Sequence, residues 1–203
     1  MKHIVVDGKK IAPSKILCIG SNYVEHINEL GNEIPDDMVV FLKPNSAISN
    51  ELHAFHGEQL HYEAEICFIC EGGTFTAVGV GLDLTKRALQ NRLKSKGLPW
   101  ERAKAFDGSA VFSEFVRLPH AVSRLGVELA INGSTVQSGN TDLMMYKPEE
   151  ILSELRTFMT LTDGDVVMTG TPKGVGTIQA GDEFAGSIMD GDRLLVGGRW
   201  IAR

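Results

Sequence analysis

The sequence predicts a β-rich mixed α+β fold, a roll or sandwich with a few short helices. Short apolar segments bounded by turn residues recur through the whole chain, whereas only three segments have the spacing of a helix. The 203 residues are enough for one sizeable core, and no linker, repeat or low-complexity segment divides them. We therefore expect a single domain over residues 1–203.

Strands are predicted where apolar residues alternate or cluster between turn residues. Asp7-Gly8, Asn132-Gly133 and Asp190-Gly191 are dipeptides typical of β-hairpin turns. The predicted strands are, in chain order, a hairpin over 1–12 within an N-terminal segment 1–14, then 15–19, 39–42, 61–70, 77–82, a hairpin over 128–137, 166–168, and the final strands on either side of the turn at 190–191. Residues 45–60 and 107–113 are predicted to be loops.

Three helices are predicted from signals at their ends. A capping side chain at the start and a glycine at the stop bound the first two, and a proline followed by two glutamates begins the third. The predicted helices run from the N-cap Asn22 to Gly31, from the N-cap Thr85 to Gly97, and from Pro148 to about Thr160. In the first, Val24, Ile27 and Leu30 are expected to form the apolar stripe. His26 and Glu29, three positions apart, are then neighbours on the helix surface.

Charge and composition exclude several classes of partner. The formal net charge of −6 and the pI near 5.5 argue against a nucleic-acid or anionic-membrane surface. The N-terminal segment has no signal-peptide core, and no apolar run approaches membrane-spanning length. The three cysteines form no disulfide framework, so we expect a cytoplasmic protein. Cys67 and Cys70 are expected to be buried structural residues, because no second Cys or His pair completes a zinc site.

The predicted strand 61–70 carries the most informative pair of residues. Glu63 and Glu65 point to the same face, and both faces become apolar within two residues of them. Two like charges near a core repel each other and lose hydration, which requires a shared proton, a basic partner or a bound cation. A hard divalent ion such as Mg²⁺ or Mn²⁺ fits best. The alternative is that both glutamates form the wet edge of a half-exposed strand.

Two further segments have the residue types of functional sites. Asp83 ends a predicted strand just before a helix, a common place for functional side chains. The glycine-rich loop 169–176 lacks the Lys-Ser/Thr pair of a P-loop, and Gly79-x-Gly81 has no third glycine at the dinucleotide-binding spacing. Nucleotide binding is therefore not indicated.

Short motifs in a fixed order, from about residue 15 almost to the C-terminus, resemble the fumarylacetoacetate hydrolase family. Within this family, the motifs most resemble the small single-domain branch of acylpyruvate hydrolases and oxaloacetate decarboxylases. The matching segments are Cys18-Ile19-Gly20-Ser21-Asn22-Tyr23 with His26 and Glu29, Phe41-Leu42-Lys43-Pro44, His61-Tyr62-Glu63-Ala64-Glu65, Gly81-Leu82-Asp83-Leu84-Thr85-Lys86-Arg87, Gly97-Leu98-Pro99-Trp100 with Lys104, and Thr169-Gly170-Thr171-Pro172-Lys173-Gly174-Val175-Gly176. The resemblance implies a fumarylacetoacetate hydrolase-type β-sandwich roll over 15–203, with 1–14 as an N-terminal hairpin.

The resemblance also implies roles for individual residues. The implied metal ligands are Glu63, Glu65 and Asp83, the implied catalytic residues are His26, Glu29 and Lys104, and the implied substrate-binding residues are Lys43, Arg87, Gln90, Gly170 and Thr171. Three carboxylates leave about three octahedral positions of Mg²⁺ or Mn²⁺ for water or substrate. His26, oriented by Glu29, would act as the general base, and Lys104 would add positive charge beside the reacting oxygen. Without the resemblance, these three side chains fit solvated surface positions.

The function that the resemblance implies is that of a homodimeric enzyme acting on a small 2-oxo acid. We expect divalent-metal-dependent hydrolysis of the C–C bond of acylpyruvates, such as fumarylpyruvate or acetylpyruvate, to pyruvate and a carboxylic acid. Decarboxylation of oxaloacetate is expected as a related reaction. The alternative within the family is an isomerase or tautomerase of a hydroxy-dienoate or of oxaloacetate. A third interpretation is a non-catalytic β-rich module that binds a cation or a small acid.

Two positions depart from the family pattern. Many members have Arg where Ser21 stands, so the shape or charge of the distal substrate pocket is expected to differ. Many also have Asp directly after the helix arginine, where this chain has Ala88. The loss of that carboxylate is expected to loosen the support around the site without removing a metal ligand.

Overall fold

Two β-sheets packed face to face form the framework of the protein in the computed structural model, which describes residues 1–118 and 124–203. The strands are β1 (Ile4–Val6), β2 (Lys9–Ile11), β3 (Lys15–Gly20), β4 (Val39–Pro44), β5 (Ile48–Ser49), β6 (His61–Tyr62), β7 (Ala64–Glu71), β8 (Thr74–Asp83), β9 (Ala110–Phe112), β10 (Val116–Arg117), β11 (Leu125–Ile131), β12 (Ser134–Asn140), β13 (Val166–Met168), β14 (Gly176–Thr177), β15 (Glu183–Asp190) and β16 (Arg193–Ile201). The α-helices are α1 (Val24–Glu29), α2 (Arg87–Ser95), α3 (Glu101–Lys104) and α4 (Pro148–Phe158). Single turns of 3-10 helix cover Asn45–Ala47 and Thr141–Leu143.

The larger sheet is mixed and contains the strands that carry the candidate site. Its order is β4-β3-β13-β7-β8-β9-β5, with β10 paired to β8. Strand β13 runs parallel to β3 and antiparallel to β7. The smaller sheet has the order β12-β11-β15-β16, and β1–β2 and β14–β6 form separate two-stranded ladders.

The main core lies between the two sheets. Ile66 and Val80 come from the larger sheet, Val127 and Ile188 come from the smaller one, and all four are fully buried in one apolar cluster. Burial of one such side chain contributes about 1.5–3 kcal/mol, so this layer stabilises the pairing of the sheets. The predicted β-rich sandwich roll with a few short helices is confirmed.

The strand that carries the two glutamates is interrupted. The predicted strand 61–70 is divided into β6 and β7, and Glu63 lies between them. Contact with the neighbouring strand continues across the break, because the backbone N–H of Asp83 donates to the carbonyl of Glu63 at 2.8 Å. The return strand β8 extends beyond its predicted start and ends at Asp83 itself.

Two predicted loops contain strands. Strand β9 lies within 107–113 and pairs antiparallel with β8, and β5 lies within 45–60 and pairs parallel with β9. Both strands have only two or three residues, and nearby serine and glycine residues give these stretches the composition of a loop. Pairing with neighbouring strands outweighs the local sequence preference here.

Asn22 and Thr85 are not the helix caps that the sequence predicts. The side-chain amide of Asn22 donates to the carbonyls of Tyr146 and Thr169, and no side chain among the described residues caps α1. The hydroxyl of Thr85 accepts a hydrogen bond from Lys104 Nζ at 2.6 Å, and α2 begins two residues later. Both side chains bind partners distant in sequence, a competition that local capping rules do not include.

The buried face of α1 also differs from the prediction. His26 and Ile27 are 6% and 1% exposed, whereas Val24 is 41% exposed. The predicted surface position of His26 is therefore wrong, because Tyr23 and Ile27 direct that side of the helix inward. The sequence does not predict α3, which has only four residues and ends at Lys104.

The predicted hairpin turns are confirmed. Asp7 and Asn132 have φ angles of 43° and 51°, and each is followed by a glycine with positive φ, as a type I′ turn requires. Cys67 and Cys70 are buried, as expected, and all three cysteines, including buried Cys18, are free. Within the described ranges, none of the helices has the length and apolar character needed to cross a membrane.

Candidate metal centre and substrate cavity

Three buried carboxylates meet where β7 and β8 lie side by side. Glu63, Glu65 and Asp83 are 6%, 2% and 1% exposed, and one oxygen of each lies within 4.8 Å of the others. The antiparallel register places Ala64 opposite Leu82, which brings Asp83 beside the two glutamates. The wet-edge interpretation of Glu63 and Glu65 is therefore wrong, since both side chains are inside the protein.

Two lysines neutralise part of this negative charge. Lys104 Nζ lies 2.7 Å from Glu63 Oε2 and 2.8 Å from Asp83 Oδ2. Lys43 Nζ lies 2.8 Å from Asp83 Oδ1 and donates a hydrogen bond to the backbone carbonyl of Lys104. Both lysines are buried, at 0% exposure for Lys43 and 2% for Lys104. The solvated-lysine interpretation of Lys104 is excluded by this burial.

Helix α2 supplies a third cation to the cluster. Arg87 donates through Nη2 to Glu63 Oε1, and its Nη1 donates to Gln90 Oε1 at 2.7 Å. Gln90 is 6% exposed and holds the guanidinium from the next helical turn. The first residue of α2 is thereby fixed against the carboxylate cluster.

The charges in this cluster move the pKa values of its members in opposite directions. Burial alone would raise the pKa of Glu63, but the charges of Lys104 and Arg87 outweigh burial and hold it well below its usual range. Burial, together with the charges of Asp83 and Glu63, raises the pKa of Glu65 well above its usual value. For Lys104, burial lowers the pKa, but the charges of Asp83 and Glu63 outweigh it and produce a net increase.

The donor set fits a hard divalent cation. Asp83 Oδ1 is buried and accepts no well-aligned hydrogen bond from any described residue, although Lys43 Nζ lies 2.8 Å away. A buried oxygen in this state has a lone pair free to bind a cation. One carboxylate oxygen from each of Glu63, Glu65 and Asp83 gives the all-oxygen ligand set that Mg²⁺ and Mn²⁺ prefer.

His26 and Glu29 form a pair at the side of the same cavity. His26 Nδ1 lies 3.2 Å from Glu29 Oε2, and the imidazole lines the cavity that also exposes the three carboxylates, Lys104 and Arg87. Glu29 is held in turn by the backbone N–H of Gly174, which lies 2.9 Å from Oε1 and 3.2 Å from Oε2. An imidazole positioned by a carboxylate has the arrangement of a general base.

The glycine-rich loop between β13 and β14 touches both the carboxylate cluster and the dyad. The backbone N–H of Gly170 donates to Glu65 Oε2 at 2.7 Å, and Thr171 lines the cavity. Gly170 has a φ of 97°, and a Cβ there would lie 2.8 Å from the side chain of Asn22. At Gly174, with a φ of 100°, a Cβ would lie 2.0 Å from the carbonyl oxygen of Val136. These two positions therefore require glycine.

A sequence profile of the Fumarylacetoacetate (FAA) hydrolase C-terminal family matches residues 15–198. The chain belongs to the fumarylacetoacetate hydrolase family. It is 37% identical over 201 residues to the oxaloacetate tautomerase YcgM of Escherichia coli strain K12, with 89% of this chain and 90% of that protein covered. It is also 37% identical over 201 residues to the mitochondrial oxaloacetate tautomerase oaa1 of Schizosaccharomyces pombe, with 86% and 88% covered.

A solved structure supports the same membership of the fumarylacetoacetate hydrolase family. The crystal structure of fumarylpyruvate hydrolase from Pseudomonas aeruginosa, in complex with Mn²⁺ and pyruvate, superposes with a TM-score of 0.86 at 29% identity. The alignment covers 100% of this chain and 96% of that chain. The family expected from the ordered motifs is thus confirmed, and the neighbour's Mn²⁺ agrees with a divalent metal at a buried triad of this kind.

The structure places the residues that the resemblance implied at different distances from the cavity. Arg87, Gln90 and Thr171 line it, whereas Lys43 lies behind Asp83 and contacts the cluster from the interior. Gly170 contributes its backbone to the metal-side carboxylate of Glu65 rather than presenting a side chain.

The two departures from the fumarylacetoacetate hydrolase pattern lie in different surroundings. Ser21 lines the cavity and has a φ of 53°, in the left-handed region that a non-glycine residue seldom occupies. Ala88 is exposed on the outer side of α2, away from the carboxylates. The departure at Ser21 therefore bears on the substrate cavity directly, and the one at Ala88 does not.

Sequence reasoning missed Gln137, a buried residue on β12 of the smaller sheet. Gln137 is 1% exposed and hydrogen bonds to the backbone N–H of Ala64 and to the hydroxyl of Thr171. Its predicted place was within a hairpin, where a glutamine gives no signal of function. A polar residue at an inward position of an otherwise alternating strand was the only available indication.

Proposed function

We propose that this protein is a divalent-metal-dependent enzyme of the fumarylacetoacetate hydrolase family whose main reaction is keto–enol tautomerisation of oxaloacetate. The observation that carries the proposal is the pair of buried His26 and exposed Glu29, in which the imidazole of His26 lines the same cavity as the triad and Lys104. A base beside a site that stabilises negative charge on oxygen is the requirement for moving a proton in a 2-oxo acid. The two relatives with the sequence identities given above, both named oxaloacetate tautomerases, support the choice of substrate.

We assign Mg²⁺ or Mn²⁺ to the carboxylates of Glu63, Glu65 and Asp83. When bound, the ion supplies Lewis-acid stabilisation for the charge that develops on the 2-oxo oxygen. Lys104 lines the cavity and holds the ligand carboxylates of Glu63 and Asp83 in position. Arg87 presents a guanidinium at the cavity wall, where it binds a substrate carboxylate.

The proton is moved by His26. Its Nδ1 is engaged by Glu29, so Nε2 is the nitrogen that accepts a proton from C3 of the keto acid. The electrons of the C3–H bond form the C2–C3 double bond, the π electrons of the C2 carbonyl move to its oxygen, and this oxygen takes the proton back from the imidazolium of His26 to give the enol. Glu29 stabilises the imidazolium that forms in between, and Thr171 with the Gly170 region fixes the substrate carboxylate.

Acylpyruvate hydrolysis is the second candidate function. It is favoured by the likeness to the fumarylpyruvate hydrolase structure, which has Mn²⁺ and pyruvate bound. In this reaction His26 takes a proton from a water molecule that attacks the C4 carbonyl, and cleavage of the C3–C4 bond releases pyruvate as its enolate together with a carboxylic acid. The same residues serve both reactions, which differ in whether a water reaches C4.

The proposal also covers the domain organisation, the oligomeric state and the cellular location of the protein. We take residues 1–203 as one catalytic unit, with the hairpin at 1–14 preceding the family core, and expect a homodimer in the cytoplasm. The family resemblance supports the dimer, and three free, buried cysteines support a reducing compartment.

One set of assays tests these functions together. Relaxation of freshly dissolved oxaloacetate is followed through the ultraviolet absorbance of its enol, with and without Mg²⁺ or Mn²⁺. Pyruvate release is measured in parallel from oxaloacetate, acetylpyruvate and fumarylpyruvate. Metal-dependent acceleration of enol relaxation without pyruvate supports the tautomerase, and pyruvate from the acylpyruvates supports the hydrolase. Absence of both activities would leave the non-catalytic binding module.

A further inference from the structure

Gln137 forms a closed ring of hydrogen bonds beneath the cavity. Its Oε1 accepts from the backbone N–H of Ala64 at 2.9 Å, and its Nε2 donates to Thr171 Oγ1 at 2.8 Å and to the carbonyl of Pro172 at 2.8 Å. The hydroxyl of Thr171 donates back to the carbonyl of Ala64, also at 2.8 Å. Oε1 and both N–H groups of the amide have partners, and the side chain is 1% exposed.

The ring links the segment that carries two of the candidate metal ligands to the glycine-rich loop. Ala64 is the residue between Glu63 and Glu65, so its peptide fixes the backbone from which both candidate metal ligands project. Thr171 lies at the cavity wall on the glycine-rich loop, 107 positions later in the chain. Gln137 itself belongs to β12 of the smaller sheet. It therefore connects both the segment Glu63–Glu65 and the glycine-rich loop to that sheet.

We propose that Gln137 is a positioning residue that, through the Thr171 hydroxyl, fixes the glycine-rich loop relative to the segment Glu63–Glu65, and so the geometry in which the substrate carboxylate is bound. The inference rests on the proposed function, in which the loop with Thr171 holds that carboxylate. Gln137 does not line the cavity and acts only through its neighbours. With the hydrogen bond from Gln137 in place, the Thr171 hydroxyl donates its only proton to the carbonyl of Ala64, so the hydroxyl anchors the loop and the carboxylate is left to the loop backbone beside it.

Two substitutions separate this role from simple stability. Gln137→Met keeps the length of the side chain and removes all three hydrogen bonds. Gln137→Glu keeps the acceptor for the N–H of Ala64 but loses the donors to Thr171 and Pro172 when it is ionised. The matched control is Asp165→Asn, which alters another fully buried hydrogen-bonding residue, at the start of β13 and outside the cavity.

The readouts are calorimetric affinities for Mn²⁺ and, on the Mn²⁺-loaded protein, for oxalate, whose two carboxylates mimic the carboxylate and enolate oxygens of a 2-oxo acid. We expect both Gln137 variants to bind Mn²⁺ within about twofold of the unmodified protein and oxalate about tenfold more weakly, the factor for one lost buried hydrogen bond. KM for oxaloacetate rises in parallel. Asp165→Asn lowers the thermal midpoint and leaves the oxalate affinity unchanged.

A double-mutant cycle shows whether Gln137 acts through Thr171. Thr171→Val removes the hydroxyl, so adding Gln137→Met to it should weaken oxalate binding no further. Unchanged oxalate affinity in a folded Gln137 variant, or full additivity with Thr171→Val, would overturn the positioning role alone. An unmodified protein that fails to bind Mn²⁺ would instead overturn the proposed function and this inference with it.

Discussion

The carboxylate of Glu29 accepts a hydrogen bond from the backbone N–H of Gly174, at 2.9 Å from Oε1, although 145 positions separate the two residues. This contact joins α1, which carries His26, to the loop whose earlier residues touch Glu65 and the cavity. The glycine-rich loop thus fixes the candidate base and the candidate metal centre relative to each other, and position 174 of this loop accommodates only glycine.

Gly174→Ala is expected to lower kcat strongly. The new Cβ would lie 2.0 Å from the carbonyl oxygen of Val136, so the loop must move and Glu29 loses its partner. Misplacement of about 1 Å in a catalytic arrangement costs on the order of 10²-fold in rate. Steady-state kinetics with oxaloacetate measures the effect. Gly133→Ala is the control, because Gly133 has a similar φ of 82° but open space around it; it should cost about 1–2 kcal/mol of stability and leave kcat unchanged.

His26→Ala is expected to slow tautomerisation of oxaloacetate and hydrolysis of acylpyruvates by about 10²–10⁴-fold, the usual contribution of a general base. Decarboxylation of oxaloacetate should change little, because departing CO₂ leaves its electrons in an enolate and needs no base. The three rates are compared by absorbance and pyruvate assays on the same preparation. Half-buried His53, whose one ion pair among the described residues is with Glu51, gives the control variant His53→Ala. Equal losses in all three reactions would contradict the role of His26.

Removal of one candidate metal ligand should abolish the dependence of the thermal midpoint on Mn²⁺. Mn²⁺ at about 100 times its Kd stabilises the folded protein by about 2.7 kcal/mol, so the thermal midpoint of the unmodified protein rises with added Mn²⁺. Glu65→Gln is expected to abolish that rise, and its metal-free midpoint should equal or exceed that of the unmodified protein because a like charge beside Asp83 and Glu63 is gone.

Exposed Glu183, paired with Arg199, gives the matched variant Glu183→Gln, which should retain the full Mn²⁺ response. Chelation of the unmodified protein should abolish turnover while the fold persists. Complete unfolding on chelation would show that the ion is structural, which favours the non-catalytic interpretation.

Asp165 is expected to make stability depend on acid pH. Burial raises its pKa, but hydrogen bonds from Lys15, Ser14 and Thr162 outweigh burial, so the net pKa in the folded protein is lowered. A lowered pKa contributes stability above the unfolded-state value of about 3.9, and this stability is lost as the pH falls toward the folded-state pKa. The Asp165→Asn variant should therefore be less stable by about 1–3 kcal/mol at pH 7.

The difference in unfolding free energy between the two proteins should narrow below about pH 4, where the Asp165 carboxyl protonates in the unfolded state while it is still ionised in the folded state. Urea unfolding at a series of pH values gives both free energies. A difference that stays constant from pH 7 to pH 3 would show that Asp165 stabilises the fold without its charge. Activity per folded molecule should be the same in both, since Asp165 does not line the cavity.

The carboxylate triad could be predicted because its members are adjacent in the sheet as well as informative in the sequence. Glu63, just before β7, and Glu65, within it, lie on the same side of the extended chain, and Asp83 ends the neighbouring strand β8, so strand alternation and the family motifs agree. The hairpin turns were predictable for a similar reason, since Asp7-Gly8 and Asn132-Gly133 are fixed by local backbone geometry.

The parts that the sequence did not predict depend on distant partners. Asn22 has the side chain of a helix cap, yet it binds carbonyls more than 120 positions away. Gln137 contacts Ala64 across 73 positions and Thr171 across 34, and no local pattern marks either contact. Burial of His26 likewise follows from how α1 packs rather than from its own spacing. Tertiary hydrogen bonds of this kind compete with local preferences and are decided only by the assembled fold.

The triad is carried by backbone that a sheet ladder already fixes, whereas the base, the glycine-rich loop and Ser21 are carried by helix and loop segments around it. Exchange of α1 and the residues before it would leave the three carboxylates in place, provided that the glycine-rich loop is kept, because its Gly170 N–H holds Glu65. Evolution can therefore change which bond of a 2-oxo acid reacts by remodelling the rim alone, and a designer can transplant the rim of one relative onto the framework of another without rebuilding its centre.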